Sequence, residues 1–330
     1  MKRVLVLANN LSQASFRVRI AALAPLLAER GFLLDVQLRP KGWLRGPRLW
    51  RLLTSAKRAH AVILQRRLLN PWEATRLRRH ARKIFYDIDD ALMYHNRPVG
   101  LVSRWRTARR FRATARALDH VVAGNDYLAD IFRREGKSAT IIPTMVDSAR
   151  YARKLHAATD SPRLVWIGSN STLDYVEKFL PALEQAARDV KGLRLVTIGD
   201  KTVSSSALNI DHEIWSEQTE AAALLRGDIG IAPTPADQWT LGKCGFKILQ
   251  YMAAGLPVIA SPVGANEQIV QEGITGFLPA TPGEWPAAIA RLAADAALRA
   301  RMGDAGRELA EQRYSLAVAA DEWARLLNEA

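Results

Sequence analysis

The chain alternates short, continuous apolar runs with longer stretches in which apolar side chains recur every three or four residues. Such runs fit strands buried on both faces, and the periodic stretches fit helices that bury one side. Residues 2–8 (KRVLVLA) form the first run. After a polar loop at 9–15, Ile20, Leu23, Leu26 and Leu27 fall on one face of a helix expected over 17–30. Gly31 closes it, and 32–38 is a second strand. This βαβ opening predicts a parallel sheet. The rhythm continues with strands at 61–64, 84–90, 119–123 and 138–142 and helices over 73–83, 99–118 and 127–134. A polar stretch at 148–161 reads as a linker. A second series then begins, with strands at 163–167, 193–198, 228–233 and 257–260. It also has an edge segment at 210–216, a turn and strand at 273–279, and helices over 243–254, 286–295, 297–312 and 316–328. A chain of 330 residues is long for one core, so two α/β domains are expected.

Composition narrows the class. Hydrophobic residues make up 48% and charged residues 24%, ordinary values for a soluble globular protein. No run reaches the length of a membrane span, and the first residues read as a strand rather than a secretory signal, so a cytoplasmic protein is expected. The single cysteine, Cys244, excludes an internal disulfide and fits a reducing compartment; a small buried residue is its expected role. The six histidines lack metal-ligand spacing.

Charge adds more. The formal net charge is +14, and most of the excess lies between Arg39 and Arg116, including Arg45, Arg48, Arg66, Arg76, Arg79, Arg104, Arg106, Arg109, Arg110 and Arg112. An anionic membrane surface or lipid-linked acceptor, a solvated basic shell, and nucleic acid are the three readings. The last is disfavoured, because no known recognition fold with base-stacking aromatics is visible. Residues 43–55 interleave Arg with Trp43, Leu44, Leu49, Trp50, Leu52 and Leu53. That pattern suits either a helix lying on a membrane or one packed on the sheet.

Three stretches carry candidate chemistry. The strand at 84–90 (IFYDIDD) ends in Asp87, Asp89 and Asp90. Ligands of open α/β sheets bind beyond the carboxyl ends of strands, and clustered carboxylates need a cationic partner, a shifted pKa or a job. Ser15, Arg17 and Arg19 form an S-x-R-x-R pattern at a helix start, where cations oppose the helix dipole unless they meet an anion. Residues 234–267 run loop, helix, strand, turn. Gly242, Lys243, Cys244 and Gly245 are expected at the helix N-terminus, where free N–H groups suit a phosphate, with Lys243 and Lys247 on one face.

This last stretch resembles the donor-binding signature of glycosyltransferase family 4, retaining transferases with the GT-B fold. Met252, Ala253, Gly255, Pro257 and Val258 match it, within a sub-branch reading G-K-C-x-F-K-x-L-x-Y-M-A. The family's two motif glutamates fall on Gly242 and Gln250. The resemblance implies two Rossmann-like domains facing a central cleft. Residues 1–147 would bind the acceptor and 162–313 the nucleotide sugar, with 148–161 as linker and 314–330 crossing back to the N-terminal domain. Gly168, Ser169, Lys243, Cys244, Gly245, Phe246, Lys247, Gln250 and Glu267 would lie at the donor. Gln250 would face the ribose, and Glu267 would cap a helix or pack near the donor. Ser169 stands where the family carries an Arg, which leaves the diphosphate to Lys243, Lys247 and backbone donors. Asp89 and Asp90 stand where a His-Asp pair is usual, so Asp89 would take the acceptor proton. Ser15, Arg17, Arg19 and Asn125 would contact the acceptor. The co-substrate would be a UDP- or GDP-sugar, with no metal or other cofactor. The acceptor would be a glycan or lipid-linked hydroxyl of the cell envelope, reached at the inner face of the membrane. Loss of both glutamates also fits a GT-B binding module without catalysis.

Overall fold

The computed structural model describes residues 1–38 and 47–330. The chain divides into two compact units, one comprising Met1–Thr144, Asp237–Cys244 and Leu316–Ala330, the other Met145–Ala236 and Gly245–Ser315.

The first unit is built on six parallel strands: β1 (Lys2–Ala8), β2 (Phe32–Leu38), β3 (Ala61–Gln65), β4 (Ile84–Ile88), β5 (His120–Ala123) and β6 (Ala139–Ile141), in the order β2-β1-β3-β4-β5-β6. β3 and β4 are buried along their whole length, including the polar Gln65 and Asp87 within them. The order reverses between β1 and β3, and the carboxyl ends of strands at such a switch point are where open α/β sheets bind ligands.

Its first helical segment departs from the single helix expected over 17–30. It is broken into α1 (Ala14–Phe16), a wide π-helical turn (Arg17–Ala21) and α2 (Ala24–Glu29). Pro25, in the first turn of α2, has no N–H for a preceding turn and its ring would crowd the carbonyl four residues back, so a continuous helix is unavailable. Then come α3 (Pro47–Arg58), α4 (Pro71–His80), α5 (Leu101–Ala117) and α6 (Asp126–Arg134). A capping box sets the start of α4. The Asn70 side chain accepts from the Glu73 N–H at 2.9 Å, and Glu73 accepts from the Asn70 N–H at 3.1 Å. The amphipathic stretch at 43–55 is described only in part. Leu52 and Leu53 of α3 are buried, while Trp43, Leu44, Arg45 and the side chains of Arg48, Leu49 and Trp50 lie outside the described part.

The second unit holds β7 (Arg163–Ile167), β8 (Arg194–Ile198), β9 (Asn209–Glu213), β10 (Ile229–Ala232), β11 (Val258–Ala260) and β12 (Gly276–Phe277), all parallel, in the order β12-β11-β10-β7-β8-β9. Here the switch point falls between β7 and β10. Six helices cover this sheet: α7 (Asn170–Asp189), α8 (Glu220–Leu224), α9 (Phe246–Ala253), α10 (Ala265–Ile269), α11 (Trp285–Ala294) and α12 (Ala296–Arg313). The last helix, α13 (Leu316–Asn328), belongs to the first unit, where Trp323 is buried with its ring 6.1 Å from Phe85 and His60 meets the Leu327 carbonyl at 2.7 Å.

Candidate functional site

At the switch point of the first sheet the ends of β1, β3 and β4 converge. Arg66, the residue after β3, has φ 48°, in the left-handed region that costs a residue with a Cβ about 1–2 kcal/mol. The fold holds it there from both sides. Its N–H donates to the Asp87 carbonyl at 2.8 Å, and its carbonyl accepts from the Asn9 side-chain amide at 3.0 Å. This turn delivers the guanidinium to the acidic tip of β4. Arg66 pairs with Asp90, and its Nε lies 3.6 Å from an Asp89 carboxylate oxygen.

The three carboxylates of that tip have separate surroundings. Asp87 is fully buried and receives a forked contact from Arg19, Nη2 donating at 2.6 Å and Nε at 3.0 Å. Burial pulls the Arg19 guanidinium down, but Asp87 more than offsets it and leaves the group above its ordinary value. Arg19 also donates to the Ile142 carbonyl at 2.9 Å, joining the π-helical turn to β4 and the end of β6. Asp90 is buried between Arg66 and Lys243, whose ammonium is 2.9 Å away. Burial pushes its carboxyl above the usual range, and Lys243 pulls it back. Asp89 is the most open of the three, and one of its oxygens is buried with no hydrogen-bond donor. That oxygen is the one 3.6 Å from the Arg66 Nε, so it is held by charge without a hydrogen bond.

The segment Asp237–Cys244 packs into the same unit. Asn125, after β5, holds it. Its side-chain amide donates to the Leu241 carbonyl at 3.1 Å and the Lys243 carbonyl at 2.9 Å, while its oxygen caps α6 by accepting from Leu128 at 2.9 Å. The Cys244 thiol donates to the Asp89 carbonyl at 3.2 Å. Burial pushes that thiol well above its ordinary pKa, so it is a packed donor rather than a nucleophile. Side chains at Gly124 or Gly242 would collide with Cys244 and Ala91, so both glycines are dictated by close approach.

In the second unit α9 is pinned across the sheet's switch point by one side chain. The Tyr251 hydroxyl accepts from the Ile167 N–H at 3.0 Å and donates to the Ile231 carbonyl at 3.0 Å, tying the helix to the ends of β7 and β10. Lys247, half-buried one turn earlier, stands over the Trp166 ring at 4.7 Å. The same ring abuts Gly168, where an added Cβ would strike Trp166. Gly168 and Ser169 lead into α7, and Gly245 leads into α9 in the left-handed conformation. Neither helix has a side-chain N-cap, so backbone N–H groups are presented at both starts. Gln250 is almost wholly buried. It donates to the Tyr151 hydroxyl at 3.1 Å, and Glu220 accepts from that hydroxyl at 3.4 Å and from the Trp215 indole N–H at 2.9 Å.

Several expectations are corrected. The helix expected from residue 243 starts at Phe246, because Gly245 at φ 67° cannot continue a right-handed helix. Lys243 and Lys247 therefore do not share a helix face, and Lys243 and Cys244 lie in the first unit, against Asp90 and Asp89. Arg19 and Asn125 were expected on the acceptor. Arg19 has no exposed surface and is spent on Asp87, and Asn125 is 2% exposed and spent on backbone. Ser15 is buried, accepting from Gln65 at 2.9 Å, whereas Arg17 is half-buried. Phe246 is half-buried and Ser169 exposed. Glu267 is exposed in the first turn of α10 and makes no side-chain cap. Among the described residues no group of three or more His, Cys, Asp or Glu is placed to hold a metal ion. Arg66, Asn9, Trp166 and the Tyr151–Glu220 pair were missed. The legible signal for Arg66 was its place immediately after a buried strand.

Two parallel-sheet units with these switch points define a GT-B-type fold. Residues 161–295 match the family model of glycosyl transferases group 1. Among solved structures the chain is similar over its full length to sucrose-phosphate synthase from Thermosynechococcus elongatus, at 16% identity and TM-score 0.76, covering 99% of that chain. It is likewise similar to Anabaena HepE in complex with UDP and glucose, at 14% identity and TM-score 0.71 with full coverage of both. A sequence relative, alpha-D-kanosaminyltransferase of Streptomyces kanamyceticus, is 24% identical over 190 residues, 54% of this chain. The chain matches 48% of that relative's length.

Proposed function

We propose that the protein is a retaining glycosyltransferase of family 4 that transfers a sugar from a UDP- or GDP-sugar to a hydroxyl of a glycan or lipid-linked acceptor in cell-envelope synthesis, working at the inner face of the membrane. The observation that carries this reading is the corner of the second unit at the β7/β10 switch point. There Gly168, Lys247 and two uncapped helix starts offer a cation and backbone N–H groups together. In this reading those groups hold the diphosphate and stabilise the charge that grows on it as the glycosidic bond to the sugar breaks. The neutral Gln250 lies in the wall beneath the ribose, and Glu267 at the donor's edge. The first unit holds the acceptor. Asp89 receives the proton of the attacking hydroxyl, with Arg66, Lys243 and Asp90 keeping its carboxylate oriented, and the half-buried Arg17 lies toward the acceptor. The hydroxyl oxygen bonds to the anomeric carbon on the face the diphosphate leaves.

The test is nucleotide release from a panel of UDP- and GDP-sugars in the presence of envelope glycans and lipids, with the product's anomeric configuration read by NMR. One donor is expected to release nucleotide in an acceptor-dependent way and give a product of unchanged configuration. Asp89→Asn is expected to lower the rate by roughly 10²–10⁴-fold. No release from any pair overturns transfer, and an inverted product overturns retention. The absence of both motif glutamates, at Gly242 and Gln250, favours one second reading, a module that binds nucleotide or glycan without turnover. Nucleotide binding with no release on any acceptor would select it.

A further inference from the structure

α5 is buried unevenly along its length. Its second half is anchored by Phe111, Thr114, Ala115 and Ala117, but over residues 101–110 every side chain except Thr107 is exposed. The first three turns therefore stand out from the body. They open with Leu101 at 81%, Val102 at 63% and Trp105 at 59% exposure, an exposed apolar group whose Trp105 ring carries Arg109 at 5.4 Å. Behind these come Arg104, Arg106, Arg109, Arg110, Arg112 and Arg116, and the helix contains no Asp or Glu. Six like charges along one helix without a carboxylate among them repel one another and draw anions to this surface. The ion pairs on this flank go to Arg67 and Arg78 of the neighbouring segment rather than to α5. Trp105, Arg109, Arg112 and Arg116 fall on one face, and with Pro71 of α4 they line an open hollow of about 350 Å³. Trp72, 43% exposed beside that residue, carries Arg76 over its ring at 4.2 Å.

We propose that the projecting end of α5, with the start of α4, is a docking surface for an anionic phospholipid bilayer. Charge complementarity selects the occupant. The arginines face lipid phosphates and the hollow takes a headgroup, while Leu101, Val102 and Trp105 enter the interface, where Trp and aliphatic side chains gain most. An exposed aliphatic pair beside a tryptophan at the helix tip suits insertion into a lipid interface, whereas a single-stranded nucleic acid would favour further stacking aromatics beside the arginines. The surface bears on where the protein works and not on transfer. It is read without donor or acceptor, so its failure and the failure of the transferase reading are separable.

The experiment is co-sedimentation of the full chain with phosphatidylglycerol and with phosphatidylcholine vesicles. Wild type is expected to sediment with the first and not the second, and to be released by added sodium chloride. Arg109→Glu with Arg112→Glu, and separately Leu101→Ser with Trp105→Ser, are each expected to weaken binding by roughly tenfold or more. All four positions are exposed, and unchanged circular dichroism and melting will show that these variants fold. Arg301→Glu with Arg313→Glu on α12 makes the same charge change elsewhere and is expected to leave binding intact. Equal binding to both lipids, or vesicle binding by the Arg109/Arg112 variant at the wild-type level, overturns the proposal. So does displacement by inorganic phosphate beyond the effect of chloride at equal ionic strength, which would mark a small-anion site. Binding of a DNA duplex without vesicle binding overturns it in favour of nucleic acid.

Discussion

At the scale of single residues the acidic tip of β4 is an ion-pair network with one open member. Asp87 faces Arg19, Asp90 faces Arg66 and Lys243, and Asp89 keeps an oxygen without a donor. Three carboxylates in seven residues could be read from the sequence as needing cations, because like charges at that spacing cannot stand alone. Which cations answer them could not be read, since Arg19 lies 68 positions from Asp87 and only the fold joins them. Arg66 is the sharpest case. Its left-handed backbone has no sequence signature in an arginine, the wrong residue for that region. Replacing it separates strain from charge. Arg66→Gly and Arg66→Ala lose the same ion pairs, but only the glycine relieves the backbone. In urea unfolding the glycine variant is expected to be more stable than the alanine variant by about 1 kcal/mol. Equal stabilities would mean that residue 66 is not held in that conformation.

At the scale of elements, most strands were legible, and so were the starts of α4, α5, α6, α11, α12 and α13, while two helix starts were not. An apolar run such as RLVWI is sufficient to place β7 at Arg163–Ile167, because a strand buried on both faces leaves little choice of composition. A helix start depends on backbone conformation and partners. The expected helix from residue 243 loses its first three residues to Gly245, and the one expected over 17–30 breaks ahead of Pro25. Contacts made after an element ends can also set its pH response. His156 donates from Nε2 to the Gly255 carbonyl at 2.9 Å, just beyond α9, and its Nδ1 is buried with no partner among the described residues. Protonating Nδ1 would bury a new N–H without an acceptor, so burial lowers the His156 pKa, helped by Arg299 and Lys154. The folded state thus binds fewer protons than the unfolded chain below the ordinary histidine value of about 6.5. Stability is full above that pH and falls as the pH drops through it toward the lowered folded value. Melting followed from pH 8 to 5 is expected to show this fall, and His156→Gln, which keeps a donor for Gly255 and cannot charge, is expected to flatten it. An unchanged slope in the variant would assign the response elsewhere.

At the scale of the whole molecule, two parallel sheets were legible from the repeated strand–helix rhythm, and the GT-B-type fold was implied by the resemblance carried by residues 234–267. The path of the chain between units was not. Residues 237–244 read as the approach to a helix of the second unit, yet Asn125 and Asp90 hold them in the first. Hydrogen bonds between residues more than a hundred positions apart have no local pattern. The consequence is a division of labour between two lysines four apart, Lys243 on the carboxylates of the first unit and Lys247 over Trp166 in the second. The account assigns only the second to the donor. Isothermal titration of the protein with UDP and GDP tests this most directly. One nucleotide is expected to bind, Lys247→Ala to weaken it by roughly 10–100-fold, and Asp89→Asn to leave it unchanged. No binding of either nucleotide, or full affinity in the Lys247→Ala protein, would contradict the account.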